Sequence, residues 1–483
     1  MLHLDRLPAA DAALLTHEDL HHTHMHIGWV LIGEGPPPPY ADVLAHVRSR
    51  LSEVPRYRQK LLYPPLRIGR PFWIDDPRFN LEYHVRHTAL PAPGSIEQLR
   101  NLAGRIFSQR LDRSKPLWEL WLVQGLEGDR FAVINKTHRA LVDGVHRLDI
   151  TTLLFDRTPT PTAPRPSSAA WIPHPEPTPP QLAAAALRDA LGAPRQLGEQ
   201  LGRILDSPET ARAAVQELVD DLKELAAGYI DPPSPTPFNV ALGTHRRMAW
   251  LRYPLADFKD IKDALGATVN DIYIAAVSGA LNRWFRHRGL RTRGVRLRAA
   301  VPVSQQWGTG DAAHSRVVEV FAPLPIDCND PVQRVRIVHR ALHDLKSSRR
   351  ALGARAIASL QEFAPPALMA QVARLGFSTR FFNLVVANVP GPETPLYLLG
   401  RQVVQIAPVG FLLDNSALMF LLVSYNGMLE IGITADPDAL PDLDLIAEAL
   451  DDAVVELKEA AGRERRPARQ RRKRSASARG EAS

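Results

Sequence analysis

The sequence predicts an α/β protein built of two segments of mixed strand and helix joined by a long connector. Three observations predict it. The chain has 483 residues, too many for one compact core. Strand-like and helix-like periodicities alternate on both sides of the middle. Between them lie two Pro-rich stretches, "RTPTPTAPRPSSAAWIPHPEPTPP" from Arg157 and "DPPSPTP" from Asp231, which favour extended linker over regular structure. The expected boundaries are 1–157 for the first domain, 158–237 for the connector, 238–461 for the second domain and 462–483 for a disordered basic tail.

In the first segment "HMHIGWVLIG" reads as a strand. "YADVLAHVRSRLSEV" has helical spacing through Val43, Val47, Leu51 and Val54. "SIEQLRNLAGRIFSQRL" is a helix whose Ser95 and Gln98 stand at capping-box spacing. "LWELWLVQGL" and "RFAVINKT" flank "EGD" and predict a hairpin. A further helix is expected after Asp143-Gly144, running to Phe155. Two amphipathic helices are expected in the connector, marked by Leu187, Leu191, Leu197, Leu201 and Leu205 and then by Val215, Leu218, Leu222 and Leu225. In the second segment "ATVNDIYIAAVSGALNRWF" is a buried helix, "VRLRAAVPV" and "RVVEVFAPLP" are strands, and "DPVQRVRIVHRALHDLKSS" is a helix. "FNLVVANVPGP" is a strand, "LMFLLVSYNGMLEIGITAD" a hairpin turning at Asn426-Gly427, and "LDLIAEALDDAVVELKEA" a closing helix.

Composition narrows the function class. Apolar residues make up 45% and charged residues 23%, enough for buried cores and against wholesale disorder. The start, "MLHLDRLPAADAALL", lacks a secretory pattern, and the densest apolar run, "ALMFLLV", falls far short of the roughly 20 residues a spanning helix needs. One cysteine, Cys328, excludes an internal disulfide and multi-cysteine metal sites, and a reducing cytosol is the natural setting. No basic residue adjoins it, which argues against an activated thiolate. The net charge of +7 is local: residues 462–483 hold nine basic and two acidic residues, leaving 50 of each in the rest. Such a tail suits solubility or an anionic lipid surface. No basic face with interleaved aromatics appears elsewhere, so no nucleic-acid partner is expected. The histidines His17, His21, His22, His24 and His26 invite a metal reading, but His24 and His26 alternate as in a strand, and no metal is expected.

The chemistry-bearing stretch is "KTHRALVDG", from Lys136 to Gly144, directly after "RFAVIN". It resembles the His-His-x-x-x-Asp-Gly pattern of chloramphenicol acetyltransferase-like acyltransferases. The order of "MHIG" (25–28), "PLWE" (116–119), "VND" (269–271), "VPVS" (301–304), "NVPGP" (388–392) and "SYNG" (424–427) is similar to the bacterial wax ester synthase/diacylglycerol acyltransferase family over roughly residues 1–460. The resemblance implies two chloramphenicol acetyltransferase-like domains, each a mixed sheet with helices, with a reaction tunnel between them. It implies an acyl-CoA-dependent O-acyltransferase that moves a fatty acyl group to diacylglycerol or a long-chain alcohol. Acyl-CoA would be a substrate, and no cofactor is implied. It places substrate-binding or domain-interface roles at Pro116, Leu117, Trp118, Asn270 and Asp271. The residue-level alternatives are a core role for Trp118 and a structural polar role for Asp271.

In the family pattern the second histidine is the general base, taking the alcohol's proton as it attacks the thioester, and the aspartate is mainly structural. Carried over, His138 takes the first-histidine place, Asp143 the aspartate and Gly144 the glycine. Arg139 stands at the base position. A guanidinium has no acceptor and stays protonated, so it cannot be that base, though it can donate to an oxyanion or pair with Asp143. His146-Arg147 replaces small residues, and "HSR" at 314–316 replaces Gly-Asn-Arg. His138 reads as a hydrogen-bonded structural histidine or as a base, and His146 is the possible substitute base. Two function classes follow: an acyltransferase associated with a membrane or lipid-droplet surface in the cytoplasm, impaired by Arg139, or a catalytically silent relative that binds acyl chains or CoA. A peptide-forming condensation domain uses the same motif but usually adjoins carrier domains, for which this sequence has no carrier-like serine region.

Overall fold

The structure, a computed structural model, describes residues 5–20, 23–67, 69–142, 154–161, 171–188, 232–307, 314–347 and 381–480. Two six-stranded mixed sheets dominate it. The first runs Leu396–Leu398, Arg401–Val409, His26–Glu34, Arg130–His138, Trp118–Leu126, Val85–Ala89 in spatial order. The second runs His314–Leu324, Leu297–Trp307, Leu384–Val389, Leu418–Tyr425, Met428–Ala435, Arg247–Pro254. A small sheet of Asp5–Arg6, Phe72–Asp75 and Gln59–Leu62 lies beside the first.

The local signals act where the sequence puts them. Ser95 and Gln98 close a reciprocal capping box at the start of helix Ile96–Ser108. Asn426 and Gly427 both have positive φ, 45° and 77°, as a two-residue type I′ hairpin turn requires. Helix Val269–His287 is buried along most of its length and is enclosed by helices Pro331–Ser347 and Leu443–Gly480. The helix expected after Asp143-Gly144 and the two connector helices from Leu191 onward lie outside the described residues.

Two expected boundaries change. Residues 396–409, assigned to the second domain, complete the first domain's sheet instead. Strand His26–Glu34 pairs with Arg130–His138 on one side and with Arg401–Val409 on the other. An apolar central strand with an unpaired edge would leave its backbone donors and acceptors unsatisfied, and the returning strand fills that edge. The second change is at the tail. The stretch 462–480, expected to be disordered, continues the closing helix Leu443–Gly480. Its first half is packed on the second sheet's helices, so nucleation is already supplied, and the helix runs on through Pro467.

Among the described residues the two domains meet through side-chain packing and through hydrogen bonds. Leu99, Leu102, Ala103, Ile106 and Phe107 of helix Ile96–Ser108 form one buried cluster with Met248 and Trp250 of the other domain. Each such large side chain withdrawn from water contributes roughly 1.5–3 kcal/mol. Arg100 donates to the Trp250 carbonyl at 2.9 Å and lies 5.0 Å over its ring, and the Arg246 N–H donates to Ser108 Oγ at 2.8 Å. Gln405 in the crossing strand donates to Glu430 at 2.9 Å. The connector also docks: the His174 backbone N–H and ring Nδ1 both reach Asp75 Oδ2, at 3.0 and 2.7 Å, and Leu182 and Ala185 of the 179–188 helix bury against Phe72.

Where the sheets touch, a Cβ added to Gly432 would overlap the Pro408 carbonyl. Gly432→Ala is therefore expected to destabilise the protein by roughly 1–3 kcal/mol. The check is a lowered midpoint in urea unfolding, and an unchanged midpoint would contradict so close an approach.

Candidate active site

Strand Arg130–His138 is buried from Phe131 to its last residue, because it lies inside its sheet with apolar layers on both faces. At His138 the chain leaves the sheet and makes a single turn, Arg139–Leu141. Two backbone bonds fix this exit: the His138 N–H donates to the Leu117 carbonyl at 3.0 Å, and the Arg139 N–H to the Met25 carbonyl at 2.8 Å.

The His138 ring is committed on both sides. Nδ1 accepts the Ala140 N–H at 3.1 Å, which caps the turn. An accepting Nδ1 leaves the neutral ring's hydrogen on Nε2, which lies 3.0 Å from Glu18 Oε2 and donates to it. Glu18 comes from helix Ala9–Leu20 and is itself buried. Arg113 holds the same oxygen at 2.7 Å, and its other terminal nitrogen holds Asp19 at 2.6 Å. Burial alone would raise the Glu18 carboxyl. The hydrogen bond from His138 and the charge and hydrogen bond of Arg113 outweigh that and hold it down at about 2.

Around this pair lies a layer of buried polar groups. His26 faces His138 across the strand pair, with ring centroids 6.0 Å apart and its Nε2 3.8 Å from Glu18. His24 lies 5.5 Å further on, ring to ring. Burial pushes both imidazoles down, His24 to about 4 with help from Arg246, and His26 well below its ordinary value with help from Lys136, so both are neutral near pH 7. Lys136 is fully buried and donates to the carbonyls of Ile106, at 2.9 Å, and Gln109, placing a cation at the C-terminal end of helix Ile96–Ser108. Burial lowers its ammonium to about 8, against the pull of Glu119.

Arg139 folds back over its own turn, its Nη1 donating to the Val142 carbonyl at 3.0 Å. Pro116, Leu117 and Trp118 stand against the strand end. Leu117 supplies the carbonyl for His138, and the Pro116 carbonyl accepts the Trp118 N–H at 3.0 Å. Trp118 is a core residue, stacked 4.7 Å from His84 and donating from Nε1 to the Tyr57 carbonyl at 2.8 Å. Asn270 and Asp271 belong to the other domain. Asp271 closes the capping box with Thr268 and holds His339 Nδ1 at 2.7 Å, while Asn270 accepts from Asn388 at 3.4 Å. Among the described residues no hydrogen bond joins either to His138 or Arg139. Asp143, Gly144 and His146 lie outside the described residues. Among those described, no group of three or more His, Cys, Asp or Glu side chains is arranged to hold a metal.

Residues 7–273 match the wax ester synthase/diacylglycerol acyltransferase catalytic domain, and residues 315–458 match the WS/DGAT C-terminal domain. The chain belongs to the wax ester synthase/diacylglycerol acyltransferase family. A Mycobacterium tuberculosis relative named as a probable diacylglycerol O-acyltransferase is 31% identical over 461 residues, covering 94% of this chain and 96% of its own. A solved wax ester synthase/diacylglycerol acyltransferase from Marinobacter aquaeolei superposes with a TM-score of 0.67 at 26% identity, over 95% of this chain and all of that one. The starter condensation domain of rhizomide synthetase shares the fold, with a TM-score of 0.56 at 14% identity over 95% of this chain and 94% of its own.

The expected family therefore holds, while sequence reasoning missed Glu18, Arg113 and Lys136. Glu18 lies within "HEDLHHTHMH", where the histidines drew attention and the carboxylate did not. Its partners are 95 and 120 residues away, beyond any local pattern.

Glu18 has a pH consequence. Its carboxyl is held at about 2 when folded and returns to its ordinary 4.5 when unfolded. The stability it contributes is complete above pH 4.5 and is lost as pH falls from there to about 2, on the order of 3 kcal/mol in all. Glu18→Gln is expected to flatten that part of the acid-unfolding curve, and an unchanged slope would contradict the pairing.

Proposed function

We propose that this chain is an acyl-CoA-dependent O-acyltransferase making triacylglycerol or wax ester, with a reaction centre weakened by Arg139. Membership of the wax ester synthase/diacylglycerol acyltransferase family carries the reading. In the reaction the alcohol oxygen bonds to the thioester carbonyl carbon, the carbon–sulfur bond breaks, and the proton of the hydroxyl ends on the CoA thiol. A base must take that proton during attack, and donors must face the oxyanion.

On this reading residue 139, in the single turn after His138, takes the base position of the family pattern. Arg139 cannot accept a proton, and His138 has both ring nitrogens engaged. On this reading the chain acylates alcohols slowly, and the silent acyl- or CoA-binding relative is the alternative outcome. Purified protein with palmitoyl-CoA and either hexadecanol or diacylglycerol provides the test. Arg139→His is expected to raise turnover by up to ~10²–10⁴-fold, with a pH profile that follows an ionisation near about 6.5. If the natural chain already turns over rapidly, another group takes the proton, and His146→Ala should abolish activity. Acyl-CoA binding with no acylation by any variant would favour the binding protein.

The basic end of the chain supports a second element of the proposal, peripheral attachment to an anionic membrane or lipid-droplet surface from the cytoplasmic side. Among the described residues no single helix is long and apolar enough to cross a membrane. Each Lys or Arg near an anionic surface contributes about 1 kcal/mol, screened by salt. Removing residues 462–483 is expected to lower cosedimentation with anionic vesicles at low salt and to leave zwitterionic vesicles unaffected. Equal binding by the truncated chain would exclude this role.

A further inference from the structure

The buried polar layer under the motif poses a question that the acyltransfer reaction does not answer. A carboxylate and an imidazole have been taken out of water beside a half-buried guanidinium, and such sets are often no more stabilising than apolar side chains of the same volume. Stability alone therefore gives a poor reason for Glu18. Its contacts give a better one. Arg113 donates to Glu18 Oε2 at 2.7 Å, to Asp19 at 2.6 Å and to the Leu15 carbonyl at 3.1 Å, so the guanidinium is fixed by helix Ala9–Leu20. Arg110 donates to the Glu18 backbone carbonyl at 3.2 Å. The same carboxylate oxygen then takes the Nε2 hydrogen of His138, leaving the Nδ1 lone pair to receive the Ala140 N–H. Every link leads toward the turn that carries residue 139.

We infer that Glu18 and Arg113 are positioning residues for acyl transfer, setting the tautomer and orientation of the His138 ring and, through it, the Arg139–Leu141 turn. The inference rests on the acyltransferase reading for its catalytic part and on the side-chain geometry for the rest. Removing the carboxylate takes away the acceptor that holds Nε2–H. The ring can then rotate or move its hydrogen to Nδ1, where it would face the Ala140 N–H donor to donor and loosen the turn. A displacement of about 1 Å at a reacting centre can cost about 10²-fold in rate.

The test has two readouts in the full-length protein. Nitrogen-15 NMR of the histidine rings should show His138 with its hydrogen on Nε2, and Glu18→Ala should remove that signature. In the palmitoyl-CoA assay Glu18→Ala should lower kcat about 10²-fold while KM stays within about twofold. Glu18→Gln, whose amide oxygen can still accept from Nε2, should restore both the tautomer and most of kcat. Arg113→Met should lower kcat in the same direction with KM unchanged. Should Glu18→Ala fail to fold, Glu18→Gln and Arg113→Met carry the test. A folded Glu18→Ala that keeps the Nε2 tautomer, or that keeps kcat, overturns the inference. If the natural protein acylates no alcohol, the function reading fails, and the ring signals still decide the pairing.

Discussion

A carboxylate closed off from water needs partners, and the hydrogen bond between Glu18 and His138 is where this structure meets that demand. The bond joins the first helix to the end of a central strand, across 120 residues of sequence. Burial makes it costly to leave incomplete: without Glu18 the buried His138 ring would lose the acceptor of its Nε2 hydrogen. The exit of the strand, the single turn after it and the approach of residues 23–26 all hang on the same few bonds. Lys136, two residues back, ties the neighbouring helix end to the same strand. The motif is thus supported from below by charge pairs and from the sides by backbone.

The second organising feature is the join between domains. Helix Ile96–Ser108 belongs to the first domain by sequence, yet its apolar face packs against Met248 and Trp250. Arg100 and Ser108 add directed contacts to that apolar face, and Gln405 reaches across to Glu430. Burial raises the Glu430 carboxyl to about 7, against the Gln405 hydrogen bond and the charge of Arg252, so the crossing carries a group that can change charge near neutrality. These contacts hold the two domains together through packing and hydrogen bonds.

Much of this was legible in the sequence where the cause is local. The capping box at Ser95, the type I′ turn at Asn426-Gly427 and the buried helix from Val269 each follow from residues a few positions apart. The family was legible for another reason: short motifs in a fixed order carry more information together than any one does alone. What stayed hidden is non-local. Nothing in "RQVVQIAPV" tells which sheet the strand will join, because its apolar residues suit either. No local pattern singles out Glu18, and only the fold shows that helix Ala9–Leu20 turns it inward. The tail misled differently: its charge suggested disorder, whereas the helix it extends was already formed.

The crossing strand has a meaning for how the chain comes into being. A ribosome delivers residues in order, and strand His26–Glu34 emerges long before Arg401–Val409. Until the later segment arrives, the first sheet carries an open apolar edge, the kind of surface on which partly made chains aggregate. The first half therefore cannot finish folding as an independent unit during synthesis, and the two halves mature together or not at all. A chain cut between them would leave the first sheet lacking an edge, and the second half carrying two strands with no sheet to join.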